Sequence, residues 1–397
     1  MTVKPKHIGI VLSSVPSYSE TFFRNKIKGL IENGHKVTLF VDYKVPKAKD
    51  FPCKIVSGTV YSGSTLKLLY SLLLSLFKIF FKYPLTSYRL FQLEAKDGKP
   101  LVNCLKSVVL NQFLFSEDLD WLHFGFGMLA NGRENVAMAI KAKMAVSFRG
   151  YDLYLSPLKH PGCYDLLFKK EVKFHVLSKG MKTTLLEYGI KDEMIHVITP
   201  AINVEFFSNN EPKSVVDHHS LKITTIARLH WKKGLNYTLD CLALLKEKKI
   251  PFNYTIIGEG EELERLAFAV HQLGLTGSVE FAGKLTPAEI KEVLKKTDIY
   301  LQYSVQEGFC NSVLEAQCMQ VFCIVSNAEG LDENVVDGIT GWVVPKRRPE
   351  LLAKRIMEVV DMPVEEFQTI KYKASERVKK EFDLETQQKA FIRFYTY

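Results

Sequence analysis

The sequence has no C-x-x-C pair, which speaks against zinc ribbons, zinc fingers and thioredoxin-like redox motifs. Its seven cysteines are scattered and odd in number, which argues against a disulfide framework and reads as reduced thiols in a cytosolic compartment. The nearest approach to a dinucleotide fingerprint, Gly258-Glu259-Gly260, has Leu263 where the third glycine belongs, which speaks against a nicotinamide-dependent oxidoreductase. No long hydrophobic run is present either. Between Lys67 and Lys78 only ten apolar or near-apolar residues, Leu68 to Phe77, stand uninterrupted, against the ~18–20 that a membrane-spanning helix needs. The segment Leu66–Phe81 therefore fits one of two roles: a helix packed beside a core, or an interfacial membrane contact with Lys67, Lys78 and Lys82 at headgroup level. The N-terminus runs directly into the strand-like His7–Leu12, without the apolar stretch and cleavage site of a signal peptide.

What is present is a globular composition, 47% hydrophobic and 12% aromatic over 397 residues, enough for about two domains. The net charge of +9 is unevenly spread. Residues 1–200 carry 28 Lys and Arg against 16 Asp and Glu, whereas residues 201–397 carry 25 against 28. The first half should prefer anionic surroundings and the second should not.

Both halves alternate strand-like and helix-like runs. In the first, strands are expected at His7–Leu12, Val37–Val41, Trp121–Phe124, Ala145–Phe148, Phe174–Leu177 and Ile195–Ile198, with helices at Ser19–Asn33, Leu129–Lys143 and Lys179–Tyr188. After the polar stretch Ser208–Ser220 the pattern restarts. Strands follow at Leu221–Ala227, Phe252–Ile257, Val279–Ala282, Ile299–Tyr303 and Val321–Val325, separated by helices. One of those helices opens at Pro287, with Thr286 and Glu289 as a capping box. Strand–helix alternation of this kind predicts an α/β protein with two doubly wound, mainly parallel sheets, facing each other across a cleft. The expected domains are residues 1–203 and 204–383, the terminal helix 384–397 packing back onto the first.

Several constellations could carry chemistry. Glu307 and Glu315 flank a loop and helix start, Gly308-Phe309-Cys310-Asn311-Ser312, at the carboxyl end of an expected strand. Helix-terminal amides there would take an anion, and the carboxylates would accept protons from sugar hydroxyls. Taken alone, Glu315 fits equally a capping box with Ser312, and Glu307 a solvated loop acid. Arg228 and Lys233 end a strand and precede a helix, the placement a leaving diphosphate requires, although a solvated basic turn would look the same. Gly258 and Gly260 would permit close backbone approach by a ligand. His123 ends the strand-like Trp121–Phe124, where it is either structural or a hydroxyl or phosphate contact. Ser13–Ser19, which includes Ser17 and Tyr18, is a second candidate anion loop.

The order of these motifs resembles the C-terminal domain of retaining nucleotide-sugar glycosyltransferases of family four, with the GT-B fold. They are Ala227-Arg228-Leu229 with Lys233-Gly234, then Ile257–Gly260, Val279–Gly283, Glu307–Glu315 and Gly338-x-x-Gly341. Ser19–Phe22, Gly34–Val37, His123–Gly125 and Arg149–Asp152 are similar to members that build bacterial exopolysaccharides of the colanic-acid type. The resemblance implies that Arg228 and Lys233 hold the diphosphate, Glu315 the ribose hydroxyls, and Glu307 with the Gly308–Ser312 backbone the donor sugar and its phosphates. Gly258 and Glu259 would border the donor and Leu285 the base, and His123 would approach the sugar. Ser17, Tyr18, Arg149 and Asp152 would lie on the acceptor side. It further implies a UDP- or GDP-sugar donor, no metal or other cofactor, and transfer with retention to a saccharide acceptor, lipid-linked. The basic first half would then meet an anionic membrane surface, on the inner face of the cytoplasmic membrane, with no nucleic acid as partner. Two other classes compete: a nucleotide-sugar epimerase or hydrolase on the same fold, and a non-catalytic nucleotide-sugar-binding protein.

Overall fold

The computed structural model describes residues 4–16, 21–43, 51–59, 65–209, 211–212, 216 and 220–396. The chain divides into two compact units, one built from residues 1–177, 182–198 and 388–397, the other from 178–181 and 199–387.

The first unit is a seven-stranded, wholly parallel sheet. Its strands are β1 His7–Leu12, β2 Lys36–Val41, β3 Lys54–Ser57, β4 Trp121–Phe124, β5 Lys143–Ser147, β6 Val172–Val176 and β7 Ile195–Val197, in the order β3-β2-β1-β4-β5-β6-β7. Continuous apolar runs make these strands because both faces are covered. Ile8 and Ile10 of β1, Leu39 of β2 and Ala145 of β5 pack with Ile27 and Leu30 of the helix Thr21–Glu32. The helix Leu384–Thr396 contributes Phe391, Phe394 and Tyr395 to the same core. Three helices, Thr65–Phe77, Pro84–Lys96 and Leu101–Asn111, fill the long connection between β3 and β4.

The helix expected at Leu129–Lys143 is not formed. Gly127–Ala130 is a 3₁₀ turn and Val136–Ala139 a single helical turn, and Lys143 already begins β5. Gly132 at φ 75° and Lys141 at φ 61° break the segment into turns, because neither conformation can continue a right-handed helix.

The second unit is a six-stranded parallel sheet of β8 Leu221–Ile226, β9 Phe252–Ile257, β10 Val279–Gly283, β11 Ile299–Gln302, β12 Phe322–Ser326 and β13 Trp342–Val344. Their order is β10-β9-β8-β11-β12-β13. One face packs Ile223, Tyr254, Ile256, Leu301 and Ile324 against the helices Leu235–Glu247, Leu263–Gln272 and Pro349–Val360. On the helix Pro287–Lys296 the Thr286–Glu289 capping box is formed, with Pro287 at the first position. The chain order reverses between β8 and β11, so the loops that leave these two adjacent strands diverge at their carboxyl ends. In doubly wound sheets that point is where ligands bind.

Candidate functional site

The switch point of the second unit brings together two of the sequence's constellations. The loop after β8 carries Arg228 and runs through a short 3₁₀ turn, Trp231–Lys233, capped by Gly234. The loop after β11 carries Glu307 and enters the helix Asn311–Cys318. The two are bolted through the backbone: the amides of Val305 and Gln306 donate to the Lys232 carbonyl at 2.8 and 3.2 Å. Gly234, at φ 63°, sits so close to the Tyr303 carbonyl that a Cβ would collide with it.

Across this junction the Lys233 ammonium donates to the Glu307 carboxylate, an ion pair spanning 74 residues of sequence. Both side chains are largely covered, 14% and 12% exposed. Burial pulls the Lys233 pKa down, but the attraction of the Glu307 carboxylate and its hydrogen bond outweigh it, and the net shift is upward. Lys233 is therefore held as a fixed cation. The Arg228 side chain is exposed and makes no hydrogen bond or ion pair among the described residues, which leaves its five donors for a ligand.

The loop Gly308–Cys310 is shaped from below. Asn334 accepts the Cys310 amide through Oδ1 and donates to the Cys310 carbonyl through Nδ2, both at 3.0 Å. Phe309 and Cys310 are buried, with Phe309 packed 5.6 Å from the Phe382 ring, so this stretch offers a ligand its backbone and not its side chains. The helix begins at Asn311, and its first amides lack intrahelical partners. Ser312 is not a cap. Its hydroxyl donates to the Ile226 carbonyl at 3.1 Å and meets the Tyr300 hydroxyl at 2.8 Å, tying the helix start to the last residue of β8.

The capping box between Ser312 and Glu315 is thus absent, and Glu315 lies in the helix's second turn, not its first. Its carboxyl is half-buried, has no hydrogen-bond donor among the described residues, and is pushed up to about 7 by burial. A carboxylate placed so is short of donors, which sugar hydroxyls would supply.

The glycines after β9 serve the fold. Gly258 has φ 140°, and a Cβ there would strike the Ala227 carbonyl, so the close approach of the neighbouring loop already requires a glycine. The Leu229 amide donates to the Glu259 carbonyl at 2.9 Å, completing that junction, while the Glu259 residue itself is exposed. Leu285 lines a different hollow of about 530 Å³, between Thr224, Thr255 and Ala282 on the sheet and Glu292, Val293 and Lys296 on the helix Pro287–Lys296. None of Arg228, Lys233, Glu307 or Glu315 lines it.

Three positioning residues escape sequence reasoning: Glu329, Asn334 and Lys346. Glu329 accepts the Glu307 amide at 3.3 Å and pairs with Lys346 at 3.0 Å. Glu329 and Lys346 come from the loops after β12 and β13 and Asn334 from the end of the short helix Leu331–Asn334, and no spacing links them to Glu307. Among the described residues no three His, Cys, Asp or Glu side chains are grouped to hold a metal ion.

In the first unit, His123 is fully buried in β4, which corrects the expectation of a histidine at an open strand edge. Its ring nitrogens are hydrogen-bonded to the Tyr395 hydroxyl at 2.5 Å and the Ser147 hydroxyl at 2.7 Å, and Ser147 continues to His175 at 2.7 Å. The Lys26 Nζ lies 3.3 Å from Nδ1. Burial, then the nearby Lys26, pushes the His123 pKa well down, so the imidazole is neutral. Arg149 lies over the Phe22 and Phe23 rings at 4.3 and 4.7 Å. Asp152 is 3% exposed and accepts the amides of Met128 and Arg149 at 3.2 and 3.3 Å, a turn-closing role. Burial raises its pKa to about 6. Ser17 and Tyr18 lie outside the described residues.

Comparison with known proteins follows the same lines. Residues 206–377 match the family described as Glycosyl transferases group 1. The chain is 27% identical over 363 residues to the amylovoran biosynthesis glycosyltransferase AmsK of Erwinia amylovora, covering 87% of this chain and 88% of that protein. It is 25% identical to the putative colanic acid biosynthesis glycosyltransferase WcaL of Escherichia coli K12, covering 95% and 96%. Among solved structures, Anabaena Alr3699/HepE in complex with UDP superposes with a TM-score of 0.71 at 15% identity, over 98% of both chains, a likeness of fold. With its two parallel-sheet units the chain has the GT-B fold, and the unit that holds the Lys233–Glu307 junction is the part that matches the group 1 glycosyl transferase family.

Proposed function

We propose that the chain transfers a sugar from a UDP- or GDP-sugar to a saccharide acceptor, with retention of anomeric configuration, in the assembly of a bacterial exopolysaccharide. The observation that carries this reading is the Lys233–Glu307 ion pair at the β8/β11 switch point, beside the free Arg228 and the amino end of the helix Asn311–Cys318. The relatives described as an amylovoran biosynthesis glycosyltransferase and a putative colanic acid biosynthesis glycosyltransferase support the exopolysaccharide assignment. The acceptor is read as lipid-linked, in keeping with the basic charge of residues 1–200.

In this mechanism the bond between the anomeric carbon and the β-phosphate oxygen breaks, and its electron pair stays on that oxygen. The growing negative charge is met by Lys233, Arg228 and the helix amides, all in place before the reaction. The departing oxygen takes the proton of the acceptor hydroxyl, and the new bond forms on the face the diphosphate leaves. Glu307 keeps Lys233 protonated, and Glu315 accepts hydroxyl protons of the ribose.

The test is a thermal-shift panel of nucleoside diphosphates. UDP or GDP at ~100 times its dissociation constant stabilises the fold by ~2.7 kcal/mol, and the product of the responding donor sugar keeps its anomeric configuration by NMR. A chain that responds to no nucleoside diphosphate does not have this donor site.

A further inference from the structure

The helix Thr65–Phe77 is inside out. Only Ser75 on it is buried, and its hydroxyl is satisfied by the Ser71 carbonyl at 2.8 Å. Its leucines and aromatics point to solvent instead: Leu66 is 79% exposed, Leu73 57%, Tyr70 65% and Phe77 59%. The π-helical turn Lys78–Lys82 continues the surface with Phe80 at 67% and Phe81 at 75%, and Leu85 and Tyr88 of the next helix extend it. Leu101, Val102 and Leu105 of the helix Leu101–Asn111 are exposed as well. At ~150–250 Å² for a fully exposed ring, the five aromatics Tyr70, Phe77, Phe80, Phe81 and Tyr88 alone present roughly 500–800 Å². Typical monomers expose patches of only a few hundred Å².

The arrangement is ordered by charge. On a wheel of 100° per residue, Lys67, Ser71, Ser75 and Lys78 fall within about 80° of one another, and the apolar residues occupy the remaining arc. The polar stripe is thus continuous along the helix: Ser71 and Ser75 in its middle turn toward the protein, and Lys67 and Lys78 at its ends are exposed. No acidic residue occurs from Phe51 to Leu93. Lys67, Lys78, Lys82 and Lys106 are exposed and make no ion pair among the described residues. The base of the surface is pinned in place: Glu94, fully buried, pairs with Lys99 at 2.5 Å, and Asp97 pairs with Lys170 at 2.6 Å.

We infer that the surface built by residues 65–88 and 101–106 seats the first unit on an anionic lipid bilayer, the helix Thr65–Phe77 lying flat in the interface with its leucines and aromatics among the acyl chains and its lysines on lipid phosphates. The helices Thr65–Lys82 and Pro84–Lys96 reach the length and apolar composition of a span only when taken together, and the bend between them favours a surface-lying arrangement. No single helix is long and apolar enough to cross, the polar stripe runs the length of the helix, and the chain turns by 102° at Tyr83 into the helix Pro84–Lys96. Flat burial at the headgroup boundary satisfies both the apolar arc and the lysines.

The experiment is flotation of the full chain with phosphatidylcholine vesicles, with and without phosphatidylglycerol. The wild type floats with the anionic vesicles. Leu73→Ser/Phe80→Ser/Phe81→Ser, all at exposed positions, loses at least tenfold in vesicle affinity with an unchanged melting temperature. Lys67→Gln/Lys78→Gln/Lys82→Gln loses about fivefold per lysine on anionic vesicles, and the effect fades as salt is raised. Either of two results overturns the inference: no flotation of the wild type, or flotation of the triple serine variant equal to wild type. In the second case, conversion of a dimer to a monomer by the same variant would identify the surface as a contact between copies of this chain. Nucleoside diphosphate binding is read separately by thermal shift, so this inference and the donor-site reading fail independently.

Discussion

Lys233 and Glu307 stand 74 residues apart and meet as an ion pair where the loops after β8 and β11 diverge. The pair does two things at once. It ties the loops together where the sheet order reverses, and it holds a cation at the place that the proposed function gives to the departing diphosphate. Removing either partner leaves the other covered and unpaired, which costs more than the pair itself contributes. Lys233→Ala is therefore expected to reduce sugar transfer about a hundredfold or more, and the double variant Lys233→Ala/Glu307→Ala to be less destabilised than the two single effects added. A coupling of about 1–3 kcal/mol in urea melts is expected for groups in direct contact. Additivity within a few tenths of a kcal/mol would mean that the pair does not hold the junction together.

Arg228 provides the complementary case, because it is exposed and carries no structural contact. Arg228→Ala should leave the free protein's stability within about 0.5 kcal/mol of wild type. The variant should weaken UDP or GDP binding by roughly 10–100-fold, the loss of a charge-assisted hydrogen bond. Isothermal titration of both proteins with the nucleotide that stabilises the wild type measures this directly. Equal affinities would remove Arg228 from the diphosphate site.

The buried chain of Tyr395, His123, Ser147 and His175 predicts a stability effect without a donor effect. Tyr395→Phe deletes one hydroxyl from a covered network and leaves His123 without that partner. A cost of about 1–3 kcal/mol is expected in denaturant melts, while nucleoside diphosphate affinity stays unchanged. A variant of wild-type stability with weakened nucleotide binding would return His123 to the donor site.

The sequence made the strands legible wherever both faces are covered, because burial on two sides writes a continuous apolar run. Trp121–Phe124 and Phe252–Ile257 match at both ends. It failed at Lys54–Ser57 and Trp342–Val344, the edge strands β3 and β13, which are short and only partly covered. Arg228, Lys233, Glu307 and Glu315 were visible as residues at strand ends. Their grouping was implied by the family resemblance and not by spacing, since physically it follows from β8 pairing with β11. Glu329, Asn334 and Lys346 reach the site only through that pairing. His123 shows the opposite error: a strand end looks open in sequence, and only the return of the helix Leu384–Thr396, with Tyr395 on the ring, closes it. The inside-out helix Thr65–Phe77 was ambiguous because periodicity marks an apolar arc without saying what covers it.

Glu315 supplies a prediction with a sign that depends on pH. Burial raises its carboxyl from the ordinary value of 4.5 to about 7, so the folded protein binds this proton more tightly than the unfolded chain does. Below the unfolded value both states are protonated and the residue costs nothing. As pH climbs through the folded value the unfolded chain has already ionised, and stability is lost, by about 3 kcal/mol once the folded carboxyl is charged. Glu315→Gln removes the charge without changing the shape. It should melt together with wild type near pH 4, grow more stable relative to it between pH 5 and 7, and hold that advantage at pH 8. A bound nucleotide whose ribose hydroxyls donate to the carboxylate favours its charged form, so UDP or GDP should narrow the gap at pH 8 and release a fraction of a proton on binding at pH 7. Titration calorimetry in two buffers of different ionisation enthalpy reads that proton. A gap that stays the same from pH 4 to pH 8 would show that the Glu315 carboxyl ionises as freely as one in water, and a gap that nucleotide leaves untouched would take Glu315 out of the ribose site.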